Sequence, residues 1–142
     1  KHFPKKAHRL SLVISELLMD ISNADLKRLY SEFIVPNEFY GQNPPSAWKS
    51  RTVSRIQYNC GDMQEDLNVI TDVNRAQVNV FQDSGVEPVD GIQVTFDINT
   101  YQGRTDPRFE LPHVKLFYPK ALEIYDEVNS MLRERLQNIP NA

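Results

Sequence analysis

Between Ile92 and Tyr101 the side chains alternate without a fault, with Ile92, Val94, Phe96 and Ile98 apolar and Gln93, Thr95, Asp97 and Asn99 polar. Successive side chains of a strand point to opposite faces, so this segment has one face to bury and one to leave polar. That pattern belongs to an antiparallel sheet covered on a single side. A chain carrying such a strand must also supply neighbours for its backbone and an apolar layer to close over it. Leu67–Thr71 and Ala76–Gln82 are rich in β-branched residues, and the second sets Ala76, Val78 and Val80 against Gln77, Asn79 and Phe81, which predicts two more strands. Asp83–Gly91, with Ser84-Gly85, Pro88 and Asp90-Gly91, reads as a hairpin connection. Gln102–Pro112 reads as a loop of alternating charge, and His113–Tyr118 as a fourth strand.

The covering layer is expected from helices at the two ends. From Pro4 to Ile21, Leu10, Val13, Ile14, Leu17, Leu18 and Ile21 recur at helical spacing. Asn23 reads as an N-cap for a second helix through Leu26, Leu29, Tyr30 and Phe33, ended by Pro36 because proline disfavours the helical conformation of the residue before it. Pro36–Ser46, with Gly41 and Pro44-Pro45, reads as a loop tipped by Phe39 and Tyr40. For Ala47–Tyr58 the spacing of Val53 and Ile56 favours a helix over the alternation of Ser54, Ile56 and Tyr58. Pro119 suits the first position of a last helix whose apolar face is Leu122, Tyr125, Val128, Met131, Leu132, Leu136 and Ile139. Early acids and late arginines there complement the helix dipole. The expected fold is a single α+β domain over 1–142: an N-terminal helical hairpin and a C-terminal helix packed on one face of a four-stranded, mainly antiparallel sheet.

A chain of 142 residues with 40% hydrophobic and 10% aromatic content can bury a core without a disulfide or metal. Its one cysteine, Cys60, excludes an internal disulfide framework and fits a reducing, cytoplasmic setting. Apolar runs such as Leu12-Val13-Ile14 fall far short of the roughly 20 residues a membrane helix needs. The basic start Lys1–Arg9 is followed by Ser15, Glu16 and Asp20 rather than an unbroken apolar stretch, so no signal peptide is expected. The first residue is Lys rather than Met, from which a piece of a longer chain is expected.

The net charge of −3 is unevenly spread: residues 1–60 carry nine Lys/Arg against five Asp/Glu, and residues 61–142 carry seven against fourteen. A basic first half is compatible with an anionic partner, with Lys5, Lys6 and Arg9 as nucleic-acid contacts, since cations at a helix start oppose its dipole. If 47–58 is helical, Trp48, Arg51, Arg55 and Tyr58 fall on one side of it, and aromatics beside arginines suit nucleobase stacking or a protein interface. Phe39 and Tyr40 complete the partner-binding candidates.

The signatures of common enzymes are missing. There is no phosphate-cradling glycine loop, no paired Cys-x-x-Cys, no His-Glu-x-x-His and no Gly-x-Ser-x-Gly. His2, His8 and His113 lack metal-ligand spacing, and no cofactor or metal is expected. Cys60 beside Gly61 reads as a small buried residue rather than a nucleophile. Asp97, Glu110 and Lys115 hold the ingredients of a metal-dependent phosphodiesterase without its tight spacing. The cluster Asp62, Glu65, Asp66 and Asp72 lacks the ligand alternation of a calcium loop. The expected function is a non-enzymatic interaction domain binding another protein, carried either by the aromatic loop or by the polar strand face that includes Gln77 and Asn79. A nucleic-acid-binding domain and a phosphodiesterase-type enzyme are the alternatives.

Overall fold

The computed structural model describes residues 6–82 and 85–137 and, within them, all side chains but those at 78, 80–82, 87 and 137. In chain order the elements are β1 (Ser11–Leu18), α1 (Asn23–Phe33), α2 (Glu38–Gln42), β2 (Trp48–Cys60), β3 (Met63–Gln82), β4 (Gly85–Thr100) and α3 (Leu111–Gln137). The strands form one four-stranded antiparallel sheet of order β1-β4-β3-β2, so the fold is α+β. Consecutive hairpins join β2, β3 and β4, and β1 pairs along the free side of β4, with the Thr100 amide donating to the Leu10 carbonyl at 3.0 Å.

Four sequence expectations are corrected. Ser11–Leu18 is a strand, not a helix, so 4–33 does not form a helical hairpin. Its apolar run fits both periods locally, and the alternating burial of Leu12, Ile14 and Leu18 against exposed Val13, Ser15 and Leu17 shows which period the sheet selects. Trp48–Cys60 is likewise a strand. The two expected central strands are one, Met63–Gln82, and β4 begins at Gly85, taking in Pro88 from the expected connection; Ser84 lies outside the described residues. His113–Tyr118 belongs to α3, which contains Pro119 in its interior. Val114, Phe117, Ala121 and Ile124 recur at spacings of three and four, and all four are buried in or packed on the core. That continuous face offsets the one helical hydrogen bond Pro119 removes.

α1 is capped by Ser22, whose Oγ accepts the Asp25 amide at 3.1 Å, one residue earlier than the sequence suggests. The loop read over 36–46 contains the short helix α2, capped by Asn37 through the Tyr40 amide at 3.1 Å.

The chain divides into two compact units, each drawing residues from all four strands. The first comprises the residues up to Ile14, Val53–Ile70 and Phe96–Arg135. Its core is Leu10, Leu67, Ile98, Phe109, Phe117, Ala121 and Ile124, so α3 supplies the apolar layer the strand pattern requires. Phe96 meets Tyr125 edge to face at 5.1 Å. The second comprises Ser15–Thr52, Thr71–Thr95 and the residues from Leu136. It buries Leu26, Leu29 and Tyr30 of α1 with Trp48, Val73, Ile92 and Val94. The Trp48 ring lies 6.1 Å from Tyr30 and 6.2 Å from Phe33. Gly91 is required there, because a Cβ would stand 2.8 Å from the Leu18 carbonyl oxygen. Among the described residues no helix is long and apolar enough to cross a membrane.

One ion pair closes the first unit. Glu65 and Arg108 are 2% and 8% exposed, and Arg108 grips both carboxylate oxygens, Nε to Oε1 at 2.6 Å and Nη2 to Oε2 at 3.0 Å. Its Nη1 donates to the carbonyls of His8, Arg104 and Asp106, so one guanidinium ties β3 to the loop before α3 and to the chain before β1. The Glu65 bond holds Arg108 charged beyond its usual range against the opposing effect of burial. Removing Arg108 leaves the buried Glu65 carboxylate with the half-exposed Arg104, 3.0 Å from Oε1, as its remaining cation, too solvated to replace the two-pronged grip. Arg108→Met is therefore expected to lower the unfolding free energy by about 3 kcal/mol, read by urea denaturation. Lys6→Met, which breaks the solvent-exposed Lys6–Glu110 pair, is expected to shift the midpoint far less.

Candidate functional site

The polar strand face was a leading candidate, and in the first unit it is a closed network. Arg55 Nε donates to Asn68 Oδ1 at 3.1 Å, Asn68 Nδ2 to Asn99 Oδ1 at 3.2 Å, Asn99 Nδ2 to Asp97 Oδ1 at 2.9 Å, and Ser11 Oγ to the same oxygen at 2.8 Å. This row crosses all four strands. Arg9 faces the other Asp97 oxygen at 3.7 Å, and the Arg55 guanidinium lies 4.1 Å over the Tyr101 ring. Asn68 and Asn99 are buried, and each uses its donor and acceptor inside the row. Such a network fixes strand register and leaves little for a ligand.

The second unit repeats the arrangement. Asp72 accepts Arg51 at 2.7 Å and Lys49 at 3.1 Å, while Ser15 bonds Thr95 at 3.0 Å and accepts Gln93 at 3.1 Å. Arg51 and Arg55 therefore extend from the polar face. Trp48 is buried among the α1 aromatics, and Tyr58 packs on the α3 side. The proposed grouping of Trp48, Arg51, Arg55 and Tyr58 depended on helical spacing. In strand β2 even and odd positions face opposite ways, so the two aromatics and the two arginines separate. Gln77 and Asn79 are exposed on β3.

Of the basic leading group, Lys5 lies outside the described residues; Lys6 is paired with Glu110 at 2.8 Å, and Arg9 faces Asp97. The Lys6 ammonium holds Glu110 below the usual carboxylate range. Asp97 sits in the polar row, Glu110 just before α3, and Lys115 is exposed on α3. Each carboxylate thus has its own cation, and no contact joins the three. Among the described residues no three His, Cys, Asp or Glu side chains are grouped to hold a metal ion.

Cys60 is buried, its Sγ donating to the His113 carbonyl at 3.5 Å, and burial raises its pKa. A thiol held protonated is a poor nucleophile. His113 Nδ1 accepts the Glu110 amide at 3.0 Å, filling the role of a capping side chain for α3, with Nε2 3.4 Å from Asp62. Tyr58 is raised from 10.0 to about 12, first by burial and then by Cys60.

What remains is α2. All five of its residues are exposed, yet it carries Phe39, 66% exposed, and Tyr40, 44% exposed, stacked edge to face at 5.3 Å. Val35, just before it, is 98% exposed, and Asn37, Glu38, Phe39 and Gln42 line a shallow depression. The sequence flagged these aromatics through their proline-bounded loop. It gave no sign of Asn68 or Tyr101, or of the Glu65–Arg108 pair, although the alternation of Gln64, Asp66 and Asn68 along β3 was a usable signal. No protein-family model, no curated protein and no solved structure matches the chain.

The Tyr58 shift has a testable sign. The folded chain holds the phenolic proton more tightly than the unfolded chain, so stability falls as pH rises from about 10 towards 12. Thermal melts across that range are expected to show a steeper alkaline decline for the parent chain than for Tyr58→Phe.

Proposed function

We propose that this chain is a non-enzymatic interaction domain that binds another protein through α2. The observation that carries the reading is a helix burying none of its own residues while it presents two aromatic rings to solvent. Exposed apolar groups gathered at one place mark interaction sites, and aromatics dominate binding energy when a partner desolvates them. The segment 31–46 carries Glu32 and Glu38 and no Lys or Arg. The partner that suits it has an apolar cleft rimmed by basic residues. The polar strand face supports this reading less well, because its carboxamides and carboxylates already bond one another. A nucleic-acid role for the basic first half is weakened in the same way, since Lys6, Arg9, Lys49 and Arg51 all face carboxylates within the fold. A cytoplasmic setting, which the lone buried Cys60 suits, belongs to the same proposal.

The test is the double variant Phe39→Ser and Tyr40→Ser. Both side chains are exposed, so the melting temperature is expected to stay within about 2 °C of the parent. Partners captured by the parent from native lysate should be lost by the folded variant and weakened by raised salt. Retention of every partner by the folded variant, or unfolding of the variant, removes α2 as the interface.

A further inference from the structure

We infer that α3 is also a self-association surface, on which a second copy of this chain packs antiparallel, with the two-fold axis between Lys120 and Ala121. The helix closes the core through Phe117, Ala121, Ile124 and Leu132. At 100° per residue Leu111, Tyr118 and Leu122 lie within about 40° of one another on a different side of it. They are 65%, 41% and 46% exposed, an apolar stripe that the fold covers only in part, with Tyr118 resting edge to face on Phe117 and its hydroxyl donating to the Ser11 carbonyl at 3.5 Å. Leu111, Tyr118 and Leu122 are separated by seven and four residues, so they recur along one side of the helix.

The charges beside the stripe identify the occupant. Lys115 and Asp126 are exposed, about 20° apart on the same flank, and neither makes a hydrogen bond or ion pair among the described residues. The neighbouring Lys120 and Glu123, by contrast, are joined at 2.7 Å within the helix. In an antiparallel pair related by a two-fold axis between residues 120 and 121, Lys115 of one copy stands level with Asp126 of the other, and the relation occurs twice. A two-fold axis keeps each flank on its own side, so these charges meet across the seam. Around the axis Tyr118 and Leu122 of one copy pack on the same residues of its mate, while Leu111 stands level with Ser130 at the ends of the seam. The surface is thus self-complementary in charge as well as in apolar content, which an isologous interface requires.

Sedimentation of the whole chain from micromolar to millimolar concentration tests this. A monomer–dimer equilibrium is expected, abolished by Leu122→Asp with an unchanged circular dichroism spectrum. Lys115→Glu or Asp126→Lys alone should weaken the dimer about tenfold, because two attractions become repulsions. The combined Lys115→Glu/Asp126→Lys chain should recover the parent affinity. A parent chain that stays monomeric throughout, or a dimer indifferent to Leu122→Asp, overturns the proposal. A dimer lost with Leu122→Asp but insensitive to the single charge reversals, or not rescued by the double one, overturns the antiparallel arrangement.

Discussion

The structure depends on β4 being paired along both of its sides. A strand with Ile92, Val94, Phe96 and Ile98 buried cannot leave a row of backbone amides and carbonyls unbonded beside them, since each buried, unbonded group costs as much as a lost hydrogen bond. β3 satisfies one side through its hairpin with β4. The other side needs a segment from elsewhere, and Ser11–Leu18 fills it. Once β1 is in place, its Ser11 joins the polar row, and the chain before it comes within reach of Arg108.

That requirement explains why the sequence was legible in some places and not in others. Residues 92–100 and the apolar face of α3 advertise themselves, because their periods run long enough to exclude the alternative. Leu12-Val13-Ile14 and Leu17-Leu18 fit a helical stripe as well as a strand, and what decides between them is the unpaired side of β4, some eighty residues away. Trp48–Cys60 fails for the same reason: its partner β3, not its own spacing, selects Ile56, Tyr58 and Cys60 as one face. At 113–118 the ambiguity is local: Pro119 suits a helix start, yet the run from Val114 to Ile124 is continuous at helical spacing across it.

The candidate site divides along similar lines. Phe39 and Tyr40 were visible because prolines and a glycine bracket them in a segment with no other apolar role. The strand face was visible as a polar row, but its chemistry was not. Only the fold shows that Arg55, Asn68, Asn99, Asp97 and Ser11 satisfy one another, which turns a list of donors and acceptors into a device for holding register. Likewise Glu65 read as one of several solvated acids, and its burial against Arg108 emerges only when β3 and the loop before α3 are brought together.

Residue-resolved hydrogen exchange along 11–18 tests the pairing of β1 with β4 most directly. An edge strand has hydrogen-bonded amides on one side only, so protection is expected to alternate from residue to residue. An unbroken run of protected amides through this segment, as a helix gives, would contradict the pairing on which the fold rests.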